Sequence, residues 1–250
     1  MIVDLPDTTT NDINKRIKDM LDSFIIKKVL IIGPLRVCNS VWKQEGAKWG
    51  HLSDLKIAVA TGTAKERKAA LAAGCEVTVT NKENVKWVVD LCAEKKVWPY
   101  DCVVLDEASA FKSQATRRFR SLRKVIPHTT VLIELTGTPA PNSLMDVWSQ
   151  MYFLDKGHAL GKTISGYRQR FFTPDYFGYN WTIKPGSSEK IHELIKPMVL
   201  SLQGDERVKL PDRIDITEQI ELPKKIKDQY KEFEKNMFIE FENTEVEALS

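Results

Sequence analysis

Five short apolar runs, separated by polar or helical sequence, constrain the fold of this chain more than any other feature. They are KKVLIIGP, LKIAVATG, CEVTVTN, YDCVVLDE and TTVLIELTG, at residues 27–34, 55–62, 75–81, 100–107 and 129–137. A continuous apolar run of this length suits a strand that is covered on both faces. Intervening segments such as TAKERKAALAA have the composition of helices. The alternation predicts a doubly wound α/β domain built on a parallel sheet.

An amphipathic helix is predicted at residues 11–24, ahead of the first run. Its apolar residues recur at three- and four-residue spacing, with Thr10 or Asn11 as the cap. They are Ile13, Ile17, Met20, Leu21 and Phe24. The spacing buries one face of this helix against the sheet.

The residue pattern of the sequence changes after about residue 142. An aromatic-rich, irregular stretch shows no strand periodicity and is followed by the helical sequence SSEKIHELIKPMVLSL at 187–202. A proline-marked linker then enters an alternating strand at 209–222, and 224–241 has the pattern of a helix with Ile226, Tyr230, Phe233 and Met237 on one face. We therefore expect an α/β lobe at 1–142, a helical accessory region at 143–208 and the beginning of a second α/β lobe at 209–250.

Composition and charge exclude several classes of protein. The 250 residues contain 37 basic and 34 acidic side chains, so any nucleic-acid surface must come from local clustering of charge rather than from net charge. The four cysteines form no CxxC pair, which argues against a zinc site and a disulfide framework. No apolar run approaches the roughly 20 residues that span a bilayer, and the amino terminus has no signal core. We expect a cytoplasmic protein that does not enter a membrane.

Two strand ends carry residue types suited to nucleotide chemistry. Asp106 and Glu107 close one run, where an aspartate can hold magnesium and a glutamate can orient and deprotonate water. The hydroxyls of Thr136 and Thr138, on either side of Gly137, can bond the acidic loop or a phosphate backbone. Taken separately, the first motif is also typical of a solvated turn and the second of a Pro/Gly turn.

The order of PLRV, DEAS, LTGTPAPN and LMDVWSQMYFLD resembles the Swi/Snf-type branch of superfamily-two helicase ATPases, particularly the compact phage forms. The resemblance covers nearly all the chain. It implies a first RecA-like lobe, in a family whose two lobes clamp ATP and move along duplex DNA. It further implies that Asp106 and Glu107 are the magnesium and water-activating pair, that Thr136, Gly137 and Thr138 form the coupling motif, and that Arg36 belongs to a DNA-facing loop.

Two features depart from the family pattern. Counting back from LDSF, the family's phosphate-gripping Gly-Lys-Thr falls on Asp7, Thr8 and Thr9, so the cofactor-binding position holds Thr8 and Thr9 and lacks the lysine. The sequence also ends inside the second lobe. A later GKT at 161–163 follows no buried strand, and Gly157 is one residue too close for a phosphate loop. ATP turnover by this chain alone is therefore not expected.

A basic cluster is the candidate nucleic-acid surface. Six cations lie between residues 112 and 124 with no acid among them: Lys112, Arg117, Arg118, Arg120, Arg123 and Lys124. Such a cluster can contact phosphates, or it can be the solvated face of a helix whose Phe119, Leu122 and Val125 point inward. The tryptophans and tyrosines of 148–181 are more typical of a core or an interface than of a base-stacking surface.

Three hypotheses follow from the sequence. The leading one is a phage-type Swi/Snf lobe, with ATP and magnesium as cofactors and duplex DNA as partner, that has lost a working phosphate loop. The rival is a non-enzymatic helicase remnant that binds a protein or a nucleic acid, for instance a phage-encoded inhibitor of host defence. The third is one piece of a split enzyme whose phosphate loop or second lobe is encoded separately.

Overall fold

The computed structural model of the protein describes residues 2–4, 10–48, 52, 54–137, 143–201, 223–224 and 226–232. The chain divides into two compact units, residues 1–208 and 209–250. In the second unit, residues 224 and 226–232 are helical, and Ile226 and Tyr230 on the predicted apolar face are exposed. The strand predicted at 209–222 lies outside the described residues, as do Phe233 and Met237.

A parallel sheet forms the centre of the first unit. Seven strands pair in the order β3-β4-β2-β5-β6-β1-β9, and every pairing between them is parallel. The strands are β1 (Ile2–Asp4), β2 (Val29–Gly33), β3 (Ile57–Val59), β4 (Val77–Asn81), β5 (Cys102–Asp106), β6 (Val131–Thr136) and β9 (Val199–Ser201). A separate antiparallel hairpin consists of β7 (Phe172–Pro174) and β8 (Trp181–Ile183). The parallel sheet predicted from the five apolar runs is confirmed.

Helices cover both faces of the sheet. They are α1 (Thr10–Asp22), α2 (Leu35–Lys48), α3 (Ala64–Ala72), α4 (Val85–Glu94), α5 (Arg117–Val125), α6 (Val147–Asp155), α7 (Ile164–Phe171) and α8 (Ser187–Ile195). One core contains Ile13 and Ile17 of α1 and Trp42 of α2, and the other contains residues of α4 to α8. Strand β2 serves both cores, since Leu30 and its neighbour Ile31 belong to different clusters.

Local sequence explains where several helices begin. Thr63 caps α3 in a reciprocal arrangement with Glu66, Thr116 accepts a hydrogen bond from the Phe119 N–H, and Thr163 accepts one from the Gly166 N–H. A hydroxyl at this position satisfies one of the free N–H groups of the first turn. These caps end the loops that follow β3, β5 and α6.

Three expectations are wrong. Helix α1 ends at Asp22, and Phe24, predicted to lie on its apolar face, has a left-handed backbone and is 87% exposed. Helix α8 ends at Ile195 instead of continuing to residue 202, because Pro197 has no N–H to continue the helix. The region at 143–208, predicted to be helical, contains β7, β8 and β9. All three of these strands have only three residues, too few to show a period.

The four cysteines differ in their burial. All four cysteines are free, and Cys38 and Cys102 are buried while Cys75 and Cys92 are partly buried. In the part of the chain that the structure describes, no helix is long and apolar enough to cross a membrane.

Candidate functional site

The candidate site lies at the edge of the sheet where the parallel strands end. Asp106, the last residue of β5, is opposite Leu135 of β6, and Thr136 is opposite Asp4, the last residue of β1. The acidic pair and the threonine motif therefore come from adjacent strands, next to the end of β1. In open α/β sheets this edge is where ligands bind.

Asp106 is held by a neighbour that the sequence does not reveal. The indole N–H of the fully buried Trp42 donates a hydrogen bond to Asp106 Oδ2 at 3.0 Å. A Cβ at Gly33 would lie 3.2 Å from the Cβ of Asp106, so glycine keeps β2 close to this carboxylate. Burial raises the pKa of Asp106, the Trp42 hydrogen bond opposes that rise, and the charge of Glu107 adds to it.

Glu107 occupies a constrained backbone position. Its φ of 63° and ψ of 63° are in the left-handed region, which costs a non-glycine residue about 1 kcal/mol. The Ser109 hydroxyl donates a hydrogen bond to Glu107 Oε1, and Ala108 and Phe111 of the following short 3-10 helix are buried. Buried neighbours thus fix the turn that carries the second carboxylate. Strain of this kind is common where a side chain must be aimed.

The residues present fit magnesium better than they fit a triphosphate. Asp106 and Glu107 supply the oxygen ligands and proton acceptor that a magnesium-bound nucleotide requires. β1 ends at Asp4 and α1 begins at Thr10, so the connection between them is Leu-Pro-Asp-Thr-Thr. The sequence has no lysine, arginine or glycine before Lys15. The predicted positions Thr8 and Thr9, and also Thr138 of the coupling motif, lie outside the described residues.

A basic pocket lies along the same sheet edge. The cavity has a volume of about 400 Å³ and is lined by Lys82, Glu83, Lys86, Thr116, Arg117 and Arg118. The lysines follow β4, and the arginines are in the first turn of α5. Two of the predicted nucleic-acid residues, Arg117 and Arg118, are therefore brought together with two lysines that the sequence analysis missed.

One carboxylate shares this pocket with four cations. The pKa of Glu83 is lowered: partial burial acts to raise it, but the Asn81 hydrogen bond and the positive charges of Lys82 and Arg118 outweigh that effect. Asn81 Nδ2 donates to Glu83 Oε2 at 2.7 Å. The pocket keeps an excess of positive charge, which suits a phosphate group.

The other two predicted nucleic-acid residues lie apart from the pocket. Arg36 is exposed in the first turn of α2, after β2, and so belongs to the same edge of the sheet. The Lys112 ammonium lies 3.9 Å from an Asp146 carboxylate oxygen, and the Lys112 carbonyl accepts a hydrogen bond from the Ser149 hydroxyl. Lys112 therefore links the segment after the acidic pair to α6, and the carboxylate of Asp146 balances part of its positive charge.

The GKT sequence at 161–163 follows a loop that is held by internal hydrogen bonds. The Asp155 carboxylate accepts hydrogen bonds from the N–H groups of Gly157 and Ala159, at 2.7 and 2.6 Å. The Trp148 indole N–H donates to the Gly161 carbonyl at 2.9 Å. Because Asp155 already bonds two backbone donors of this loop, they are not free to bind a phosphate.

Replacing Gly157 with alanine should destabilise the protein by about 2–4 kcal/mol, because a Cβ clashes there and the backbone is left-handed. The added Cβ would lie 2.7 Å from the Gly161 carbonyl oxygen, at a φ of +82°. Gly74→Ala is the matched control, with a φ of +70° and no atom within 4 Å of the added Cβ. Urea unfolding of both variants checks the difference, and equal losses would contradict the clash.

Comparison with known proteins decides the family. A profile described as the SNF2-related domain matches residues 8–249. The chain belongs to this family. The Swi/Snf resemblance predicted from the motifs is thereby confirmed.

Individual relatives of this SNF2-family chain include a phage protein. "Putative protein p41" of Acyrthosiphon pisum secondary endosymbiont phage 1 is 34% identical over 235 residues, covering 90% of this chain and 50% of that protein. The mouse "DNA excision repair protein ERCC-6-like" is 29% identical over 200 residues, covering 75% of this chain and 16% of that protein. The chain thus spans half or less of the length of these relatives.

A solved structure shares the fold. The Sulfolobus solfataricus SWI2/SNF2 ATPase core in complex with double-stranded DNA matches with a TM-score of 0.65 and 23% sequence identity. The match covers 99% of this chain and 50% of that one. The likeness confirms the RecA-like parallel sheet flanked by helices.

Proposed function

We propose that this SNF2-family chain is the first lobe of a duplex-DNA translocase and that it does not hydrolyse ATP by itself. One observation carries the proposal. Asp106 and Glu107 stand beside Thr136 and the end of β1, yet the connection from β1 to α1 contains no cation for the phosphates. The carboxylate half of a nucleotide site is retained and the phosphate-gripping half is not.

The retained residues have distinct roles in this proposal. Asp106, fixed by Trp42, is the group that would hold magnesium through a bound nucleotide. Glu107, fixed by Ser109, is the group that would accept a proton from water. ATP would supply the phosphoryl group and magnesium the charge that stabilises it. Because the segment before Lys15 contains three aspartates and no lysine or arginine, ATP does not fit this chain alone.

Duplex DNA is the partner that the sheet edge favours. Lys82, Lys86, Arg117 and Arg118 converge on one pocket, and Arg36 lies at the same edge. Arginine and lysine side chains at helix starts are suited to phosphate oxygens, which fix orientation without reading sequence. We therefore expect cationic side chains of this edge to face the phosphates of a DNA backbone.

An ATPase assay with and without duplex DNA tests the catalytic part of this proposal. We expect no turnover above background from the unmodified chain, and no change on Glu107→Gln. Turnover that Glu107→Gln abolishes would contradict the proposal, because it would require a working phosphate site. Addition of a separately encoded chain with a phosphate loop would restore activity if the enzyme is split.

The second candidate function is binding without catalysis. The absence of a cation before Lys15 and the similarity to a phage protein favour a helicase remnant in the host-cell cytoplasm, such as an inhibitor of host defence. A protein partner from a host extract, bound equally by the unmodified chain and by Asp106→Ala/Glu107→Ala, would support it. Duplex binding that falls with salt, without such a partner, would favour the lobe of a translocase.

A further inference from the structure

The tip of the β7–β8 hairpin presents three aromatic rings to solvent. Tyr176 is 95% exposed, Phe177 is 75% exposed and Tyr179 is 85% exposed. Packing was predicted for the aromatic residues of 148–181, and Trp148 and Tyr167 are indeed buried. Tyr176 and Tyr179 are not part of the core, because both lie at the tip of a two-stranded ribbon. Adjacent exposed rings of this size mark an interaction surface.

Hydrogen bonds hold the tip in one shape. The Asp175 N–H donates to the Asn180 carbonyl at 2.8 Å, and the Asp175 carboxylate accepts from the Tyr179 N–H at 2.9 Å and from Asn180 Nδ2 at 3.0 Å. Gly178 has the left-handed φ of +76° that the turn requires. An ordered tip loses little conformational entropy when it binds, which favours affinity.

The rings leave flat faces open. Tyr176 and Phe177 meet edge to face, with centroids 5.2 Å apart and an interplanar angle of 89°. This arrangement uses the edge of one ring and leaves other faces accessible to a planar group. Nucleobases are planar, and each base stacked on an aromatic side chain contributes about 1–3 kcal/mol.

Cations surround the base of the hairpin. The Arg168 guanidinium lies over the Trp181 ring at 5.7 Å, Arg170 lies over Phe171 at 4.7 Å, and the Lys184 ammonium donates to the Gln169 carbonyl at 2.6 Å. None of these three cations forms an ion pair with a carboxylate among the described residues. These three cations outnumber the one carboxylate of the tip, Asp175, and an excess of positive charge beside flat rings favours an anionic partner with planar groups.

We infer that the β7–β8 hairpin contacts unpaired bases of nucleic acid, stacking Tyr176, Phe177 and Tyr179 on them while Arg168, Arg170 and Lys184 contact the neighbouring phosphates. Bases inside a duplex are already stacked on each other, so rings of this kind reach bases at a strand end or a junction. The inference rests on the proposed function in one respect: the same nucleic acid would continue onto the basic sheet edge.

Fluorescence anisotropy with matched probes tests the inference. The probes are a blunt duplex, the same duplex with a single-stranded extension of about ten nucleotides, and that single strand alone. We expect the unmodified chain to bind the extended duplex at least about 10-fold more tightly than the blunt one. The triple variant Tyr176→Ser/Phe177→Ser/Tyr179→Ser should lose that preference and keep its affinity for the blunt duplex.

A second triple variant is the control. Phe24→Ser/Ile25→Ser/Val97→Ser removes three other apolar side chains, which are 87%, 60% and 59% exposed, and should keep the preference. Equal binding of both duplexes by the unmodified chain would overturn the inference, as would a preference that survives in the hairpin variant. The inference would also be overturned if the hairpin variant lost a protein partner and kept its DNA binding unchanged. If the unmodified chain does not bind the blunt duplex, only the proposed function is contradicted. Its binding to the single strand alone, compared with that of the hairpin variant, still tests the hairpin.

Discussion

Replacing Glu134 with glutamine is expected to increase the stability of the protein, by an amount that grows as the pH rises. Glu134 lies in β6, is fully buried, and neither of its carboxylate oxygens has a hydrogen-bond partner among the described residues. Burial raises its pKa well above the ordinary value of 4.5. The folded protein therefore holds this carboxyl protonated at a pH where the unfolded chain releases the proton.

The sign and size of the effect follow from proton linkage. Above pH 4.5 the folded state binds more protons at this residue than the unfolded state, so the unmodified protein loses stability as the pH rises. The loss is about 1.4 kcal/mol per pH unit until the folded pKa is reached. Glutamine cannot ionise, so the stability difference between the variant and the unmodified protein should increase steadily as the pH rises above about 5.

Urea unfolding at several pH values measures that difference. The control is Glu193→Gln, which makes the same chemical change at an exposed position of α8. A difference that stays constant for Glu134→Gln would contradict the prediction, because it would mean that the buried carboxyl is ionised and paired in the folded state.

Glu134 also illustrates what sequence patterns reveal and what they do not. The run TTVLIELTG predicts strand β6 because its apolar residues outnumber its single acid. Whether that acid is exposed or buried depends on the helices that cover this face of the sheet, which no local pattern encodes. The same limit applies to Trp42: its position in α2 is readable, but its hydrogen bond to Asp106 joins residues 64 positions apart.

Other features of the site could be predicted from the sequence. Asp106, Glu107 and Thr136 were predicted because each closes or follows an apolar run. Lys82 directly follows β4 and Lys86 is in the first turn of α4, so both lie at the same edge of the sheet. The rule that identified the acidic pair therefore also applies to them. The predicted basic surface was a run of cations without an acid along the chain, and Glu83 lies between Lys82 and Lys86.

Four of the short strands could not be predicted from the sequence. β1, β7, β8 and β9 have three residues each and, unlike the equally short β3, lie outside the five apolar runs, so their place in the fold depends on neighbours distant in sequence. β1 is the most consequential, because its pairing with β6 puts Asp4, the last residue before the connection to α1, opposite Thr136. A three-residue alternation contains too little information to distinguish a strand from a loop.

Removing the four cations of the basic pocket should weaken duplex-DNA binding about 100-fold or more at about 50 mM salt, if these side chains contact phosphates as proposed. The variant is Lys82→Ala/Lys86→Ala/Arg117→Ala/Arg118→Ala, which changes every cation that lines this pocket. Each phosphate contact releases bound counterions, so the slope of log affinity against log salt should fall by about 3 to 4.

A control with the same change in net charge separates local contact from general attraction. Four exposed lysines at the opposite, amino edge of the sheet provide it: Lys27, Lys56, Lys95 and Lys96. Their replacement by alanine should change affinity and salt slope far less, because charges separated from the DNA by more than about 10 Å are screened at about 0.1 M salt. Anisotropy titrations of both variants from about 50 to about 200 mM salt make the comparison. Equal losses in the two variants would contradict a DNA-binding edge and leave only the net charge of the protein as the source of attraction.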